Sequence, residues 1–257
     1  MLPHDEQGAG PAVVLLHAGI ADRSMWDELR PRLAAQGYRV VAIDLPGFGE
    51  AAPGAGPQAP WNEVLATLDD LGIQEAALVG CSYGGAVALR VAALHRGRFW
   101  ALVLVSTPAP GLEPSLELAE RWATEERALD AGDLTAATDA VVAAWTRPDA
   151  PAALRDRVAA MQRNAFELQA GAPPSTDAPD PLNGDPDRLT AIQVPTLVVT
   201  GAEDLVDFRE GGRLLARLLP DAELVELPGA AHLLPLEQPE ALEHLVAGAL
   251  GARVPAG

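Results

Sequence analysis

Short apolar runs recur along the chain, and each is closed by Gly, Pro, Asp or Ser. Because they are almost continuously apolar, they are typical of strands buried on both faces, as in a parallel sheet. Amphipathic stretches separate most of them, and this βαβ alternation predicts an open, doubly wound, mostly parallel α/β sheet. The predicted strands cover residues 12–17, 38–44, 76–80, 101–106, 195–201 and 222–228.

One long interval lacks the strand pattern. Between residues 108 and 190 the chain shows amphipathic helical periodicity instead, and the last part of this interval, residues 171–187, is rich in Pro, Asp and Gly. Since α/β folds accept insertions in their loops, we predict a core of residues 1–107 and 191–257 with residues 108–190 inserted as a helical lid. The predicted lid helices cover residues 114–132, 134–145 and 151–169.

Composition and charge exclude several classes of function. The 257 residues carry a formal net charge of -18, which repels phosphate backbones and anionic lipids, so we expect neither nucleic-acid nor membrane partners. All 18 basic residues are arginines, which excludes lysine-based Schiff-base chemistry. The single cysteine, Cys81, forms no intrachain disulfide, and the chain shows no signal-peptide pattern and no apolar run of membrane-spanning length. We therefore expect a cytoplasmic location.

Chemically capable side chains follow three of the predicted strands. In open parallel sheets, ligands bind beyond the carboxyl ends of the strands. Ser82 follows the strand at 76–80 in the sequence GCSYGG, which matches the G-x-S-x-G turn between a strand and a helix. Asp204 and His232 follow the last two predicted strands. The chain order Ser, Asp, His is that of a strand–elbow–helix serine hydrolase.

Four motifs in order resemble the α/β-hydrolase superfamily, in its small branch with a helical lid. They are GCSYGG at the elbow, HAGIADRSMW in the oxyanion loop, DLPGFG after the second strand and GAAHLLPLEQPE around the histidine. The resemblance runs from about residue 10 to residue 250. It implies a fold of this class and a serine hydrolase that uses no cofactor and no metal. Within the superfamily, the motifs are most similar to those of esterases and enol-lactonases.

The resemblance also implies a role for each site residue. Ser82 would be the nucleophile, His232 the base that takes its proton and then protonates the leaving group, and Asp204 the carboxylate that orients His232. Two backbone N–H groups would hold the oxyanion, one from Tyr83 and the other from Gly19. Ile20 is the alternative to Gly19.

Several neighbouring residues have competing interpretations. Glu203 and Asp207 flank Asp204, which the pattern G-x-x-D from Gly201 favours as the acid, although Asp204 could instead cap the following helix. Cys81 adjoins the predicted nucleophile, but adjacent residues on an elbow point different ways, so we expect it to pack against the sheet. His17 is expected to have a structural role in the oxyanion loop.

The first part of the chain departs from the family pattern at two places. Ala18 stands where a second glycine usually follows the loop histidine, which is tolerable unless its φ is positive. The second departure is the family's leading β-hairpin, which has too few residues here, so we predict six main parallel strands with a short remnant formed by residues 2–5. An exposed strand edge of this kind favours self-association, whereas the net charge of -18 opposes it, so we expect a monomer or a homodimer. Asp44 follows the family pattern, and we expect it to fix the DLPGFG turn through side-chain bonds to the backbone.

We predict hydrolysis of a small carboxylic ester or lactone as the function. Carbon–carbon bond hydrolysis or perhydrolysis on the same triad is the alternative among enzymes, and a ligand receptor of the same fold is the alternative outside them. A serine at the elbow argues against haloalkane dehalogenases and epoxide hydrolases, which carry aspartate there.

Overall fold

The computed structural model describes residues 1–54, 56–95, 97–173 and 176–252. The strands are β1 (His4–Gln7), β2 (Ala12–Leu16), β3 (Arg39–Ile43), β4 (Pro57–Gln58), β5 (Ala76–Cys81), β6 (Phe99–Val105), β7 (Thr176–Asp177), β8 (Thr196–Gly201) and β9 (Ala222–Leu227). The main sheet has seven strands in the order β1-β3-β2-β5-β6-β8-β9, six of them parallel, which confirms the predicted α/β class.

Helices cover both faces of this sheet. They are α1 (Leu29–Ala35), α2 (Pro60–Asp70), α3 (Tyr83–Leu94), α4 (Leu116–Asp130), α5 (Leu134–Trp145), α6 (Ala152–Ala170), α7 (Val206–Leu218), α8 (Leu234–Glu237) and α9 (Pro239–Gly251). Two 3-10 helices, Arg23–Trp26 and Pro186–Ala191, complete the set in the described ranges. None of the helices described is both long and apolar enough to cross a membrane.

Successive strand residues supply two separate cores, which explains the continuous apolar runs. In β2, Val14 and Leu16 belong to a core shared with α2, α3 and α7, whereas Val13 and Leu15 belong to a second core shared with α1 and α9. Because side chains alternate across a strand, only a sheet covered on both faces buries all of them. Because the strand interiors are apolar on both faces, polar side chains that could bind a ligand are expected at the strand ends.

Besides one 3-10 helix and the two-residue strand β7, three α-helices lie between β6 and β8 in the described residues, where the sequence shows no strand pattern. Two of them begin at side-chain caps, since Ser115 Oγ accepts the Leu118 N–H of α4 at 3.1 Å and Asp133 Oδ1 accepts the Ala136 N–H of α5 at 2.9 Å. The helices share a small apolar cluster with Phe208 of α7. The boundaries of the lid, residues 108 and 190, stay a prediction.

The amino-terminal strand is short and antiparallel, and it pairs only with β3. It begins at His4, so it overlaps the predicted remnant of residues 2–5 and extends two residues beyond it. Leu2 precedes the strand, and its N–H donates to Thr67 Oγ1 of α2 at 2.8 Å while its side chain is buried. Self-association through this edge of the sheet stays a prediction.

Candidate active site

Ser82 lies on a strained turn between β5 and α3. Its φ of 51° is in the left-handed region, which non-glycine residues rarely adopt, and its N–H donates to the Val105 carbonyl at 2.8 Å. A Cβ on Gly84 would lie 2.2 Å from the Leu16 carbonyl oxygen. The glycine therefore lets α3 start against the adjacent strand, and this close approach lifts Ser82 above the end of the sheet.

The His232 ring joins Ser82 to Asp204. Its Nε2 lies 2.9 Å from Ser82 Oγ, and its Nδ1 lies 3.1 Å from each Asp204 carboxylate oxygen. Because a carboxylate accepts but does not donate hydrogen bonds, Nδ1 carries the proton in this arrangement and Nε2 is left to accept from the serine hydroxyl. His232 and Asp204 are almost completely buried. The structure thus brings the three predicted residues together, while their catalytic roles stay a prediction.

The two carboxylates that compete with Asp204 in the sequence face elsewhere. Glu203 is exposed and pairs with Arg147 at 3.3 Å. Asp207 accepts the backbone N–H of Ser115 at 2.6 Å and its hydroxyl at 2.7 Å. Neither carboxylate contacts the His232 ring in the described structure.

Sequence reasoning missed Glu237, which holds the loop on both sides of His232. Its carboxylate accepts the Ala231 N–H at 2.6 Å and the Leu233 N–H at 3.3 Å. Burial raises the pKa of the Glu237 carboxyl above its ordinary value, against the opposing effect of these two bonds. No spacing rule identifies this glutamate; its position five residues after His232 is the one signal the sequence offers.

Trp145 and Phe208, both apolar and distant in sequence, pack on the His232 ring. Their ring centroids lie 4.6 Å and 4.2 Å from that of the imidazole. These contacts shield the histidine from water and restrict its ring to one orientation. The sequence places Trp145 in the predicted lid helix at 134–145 but does not indicate that this side chain faces the histidine.

Gly19, Ile20 and Tyr83 line the cavity above Ser82, and their role in an oxyanion pocket stays a prediction. Tyr83 is the first residue of α3, so its N–H has no intrahelical acceptor. Ala18 is absent from the described non-glycine residues with positive φ, so alanine fits this loop without strain. Both Gly19 and Ile20 remain candidates for the second N–H donor.

His17 fixes the oxyanion loop through two hydrogen bonds. Its Nδ1 lies 2.8 Å from the Ala18 carbonyl oxygen, and its Nε2 accepts the Leu45 N–H at 2.9 Å. Burial lowers the pKa of the imidazole below its ordinary value of 6.5, so the ring is neutral. The His17 carbonyl accepts the Gly84 N–H at 3.0 Å, which links this loop to the elbow.

Asp44 organises the neighbouring turn, as the sequence suggested. Its buried carboxylate accepts the N–H groups of Arg23 and Glu50, both at 2.8 Å, and also pairs with the Arg23 guanidinium. A Cβ on Gly49, whose φ is 56°, would lie 2.2 Å from this carboxylate. The turn therefore requires glycine at this position.

Cys81 is fully buried in the core beneath the elbow and packs there against the sheet, as its place beside Ser82 predicted. Burial, reinforced by the negative charges of Asp204 and Glu237, raises the pKa of its thiol well above the ordinary value. Because the thiolate is the nucleophilic form, this position suits packing rather than chemistry.

A cavity of about 420 Å³ opens above Ser82 and His232. Its wall is mostly apolar, with Leu118 and Trp122 contributed by α4 and Trp145 by α5. This volume is in the range that small-molecule sites occupy. Within the described residues, no three His, Cys, Asp or Glu side chains are grouped so as to hold a metal ion.

Comparison with known proteins gives the family. Residues 11–239 match the α/β-hydrolase fold family, and the chain belongs to it. The chain is 30% identical over 255 residues to a 2-hydroxymuconate semialdehyde hydrolase from Pseudomonas putida, a match that covers 95% of this chain and 88% of that protein.

Two solved structures are similar over nearly the whole chain. A thermophilic esterase from Thermogutta terrifontis has a TM-score of 0.81 at 27% identity, covering 98% of this chain and 93% of that one. An enol-lactonase from Burkholderia xenovorans has a TM-score of 0.79 at 28% identity, covering 97% and 96%. The family predicted from the sequence is confirmed, and these relatives are named as hydrolases.

Proposed function

We propose that this protein is a serine hydrolase that cleaves a small carboxylic ester or lactone through an acyl-enzyme. The observation that carries the proposal is the 2.9 Å contact between Ser82 Oγ and His232 Nε2 at the floor of an apolar cavity. A serine hydroxyl is a weak nucleophile until a base removes its proton, and a base within hydrogen-bond reach is the required geometry.

The first half of the reaction transfers the acyl group to Ser82. His232 Nε2 takes the hydroxyl proton while Oγ attacks the carbonyl carbon, and Asp204 stabilises the imidazolium that forms. The carbonyl oxygen gains negative charge, which the N–H of Tyr83 and that of Gly19 or Ile20 would stabilise. Collapse of this intermediate breaks the bond to the leaving oxygen, which receives the proton from His232.

The second half restores the enzyme. Water donates a proton to His232 Nε2 and attacks the ester carbonyl, and the carboxylic acid leaves as Ser82 recovers its proton. A lactone follows the same steps, except that the leaving oxygen remains attached to the acyl chain. Every proton is carried by His232, so the scheme calls for no other titrating group.

The similar proteins support this class of reaction, since they are named an esterase and an enol-lactonase. The relative named 2-hydroxymuconate semialdehyde hydrolase makes carbon–carbon bond hydrolysis the second candidate on the same triad.

Turnover of p-nitrophenyl acetate and butyrate tests the proposal. The wild-type protein is expected to release p-nitrophenol, Ser82→Ala is expected to reduce kcat by several orders of magnitude, and the adjacent Cys81→Ser change is the matched control that keeps most of the activity. Turnover that survives in Ser82→Ala would contradict the proposal. If the wild-type protein cleaves neither these esters nor a lactone panel, ester and lactone hydrolysis is excluded and carbon–carbon substrates are tested next.

A further inference from the structure

The charged groups that line the cavity above Ser82 are all acidic. They are the carboxylates of Glu113, Glu125 and Asp207, and no arginine lines this cavity in the described structure. The whole chain adds a field of the same sign, with a net charge of -18. A substrate with a carboxylate near the reacting bond would therefore be repelled here.

Of these three carboxylates, Glu125 is the one that is available to bind a ligand. Asp207 is already bonded to Ser115, and Glu113 is exposed to solvent. Glu125 is half-buried and has no hydrogen bond or ion pair with any described residue. Burial raises the pKa of its carboxyl above the ordinary value, which reflects a charge that lacks a partner in the free protein.

Glu125 shares one face of α4 with two apolar residues that also line the cavity. Leu118, Trp122 and Glu125 are spaced by four and three residues, so they lie one above another on the helix. Trp145 faces the cavity from α5 and packs on His232. Carboxylate and indole groups in one wall are the combination that binds an alkylammonium ion, by charge and by the aromatic face.

Three arginines that share a cavity with Asp204 and His232 do not line the cavity above Ser82. Arg121, Arg147 and Arg209 line a separate polar cavity of about 360 Å³ on the Asp204 side of His232. Arg121 is bonded to Glu117 and Arg147 to Asp149. An anionic substrate group would have to reach across Trp145 and His232, which line both cavities.

We propose that the cavity selects esters that carry an ammonium group and that Glu125 is the residue that determines this specificity. The proposal rests on the proposed function, because it assigns the substrate class of the same site. Glu125 touches the non-reacting end of the substrate, so it acts on selectivity among esters and takes no part in bond cleavage.

Isosteric substrates test the charge alone. One series contains p-nitrophenyl esters of equal acyl length ending in a trimethylammonium, a tert-butyl or a carboxylate group. A second pair contains an acetate ester of choline and its tert-butyl isostere, which places the charge on the alcohol side. The variants are Glu125→Gln and, as matched control, Glu126→Gln, which removes the same charge from the adjacent exposed residue outside the cavity wall.

In the wild-type protein, kcat/KM is expected to be about fivefold higher for the ammonium ester than for its tert-butyl isostere in at least one pair, with the carboxylate ester the poorest. Glu125→Gln is expected to bring this ratio close to one, whereas Glu126→Gln leaves it as in the wild type. The proposal is overturned if neither pair shows the preference, if the carboxylate ester is preferred, or if both variants change the ratio equally.

A binding measurement separates failure of this proposal from failure of the proposed function. Calorimetric titration of Ser82→Ala with the choline and trimethylammonium esters needs no turnover. Binding about fivefold weaker in Ser82→Ala/Glu125→Gln supports the ammonium site even if no ester is hydrolysed. Equal or undetectable binding in both proteins overturns it, even if the neutral esters are hydrolysed.

Discussion

Replacing Glu237 by glutamine tests whether this carboxylate positions His232. Glutamine has the same shape but offers one acceptor oxygen, and its NH₂ group would face a backbone N–H, which is also a hydrogen-bond donor. The wild-type carboxylate accepts the N–H groups of both Ala231 and Leu233, which flank the histidine. The substitution therefore retains one of these bonds at most and places the other N–H opposite an amide hydrogen.

The size of the effect follows from the bond that is lost. A hydrogen bond to a charged group contributes about 1.5–3 kcal/mol, and Glu237 is half-buried, so we expect a loss of about 1–2 kcal/mol in the free energy of unfolding. A looser histidine loop also moves Nε2 relative to Ser82 Oγ, now 2.9 Å apart. We expect kcat to fall about tenfold with little change in KM, since misplacement of a catalytic group acts on the chemical step.

Urea denaturation and ester kinetics measure both effects. Glu240→Gln is the matched control, because Glu240 is exposed on the next helix and a surface change of this kind stays within about 0.5 kcal/mol. If Glu237→Gln unfolds at the same urea concentration as Glu240→Gln and has wild-type kcat, the positioning role is refuted. A loss of stability without any loss of kcat would leave Glu237 a purely structural residue.

Two further predictions concern the residues around the triad. Asp204→Asn is expected to reduce kcat by about 10⁴-fold, because the amide favours the wrong histidine tautomer. Asp207→Asn loses bonds to Ser115 and is expected to reduce kcat far less. A larger loss of kcat in Asp207→Asn would contradict the assignment of Asp204 as the acid. Because burial raises the pKa of Cys81, its thiol stays protonated as pH rises to 9, and a disulfide reagent is expected to label it only after denaturation; rapid labelling of the native protein would contradict this.

Hydrophobic patterning predicted the parallel strands closely, because a strand buried on both faces leaves a continuous apolar run that periodicity detects. The run at 12–17 corresponds to β2 and the run at 195–201 to β8, and both strands are buried along their whole length. The pattern failed at β1, whose residues His4–Gln7 are polar and only partly buried. It lies at the sheet edge through antiparallel pairing with β3, a contact that hydrophobic patterning does not detect.

The residues of the candidate site also fall into those that the sequence predicted and those that it did not. Ser82, Asp204 and His232 were predictable because each stands at a strand end within a recognisable motif, and the structure places them in mutual contact. Glu237 and Glu125 were not, because their significance depends on how a loop folds back and how the lid helices pack. A glutamate in a helix or loop has the same local pattern whether it faces solvent or a cavity.

Covalent labelling tests the central claim, that Ser82 is an activated nucleophile, most directly. The protein is incubated with a fluorophosphonate and its peptides are mapped by mass spectrometry, with Ser82→Ala treated in parallel. We expect one adduct per chain, on the peptide that contains Ser82, and no adduct in the variant. An adduct on Cys81 or elsewhere, or an unlabelled wild-type protein, would contradict the account.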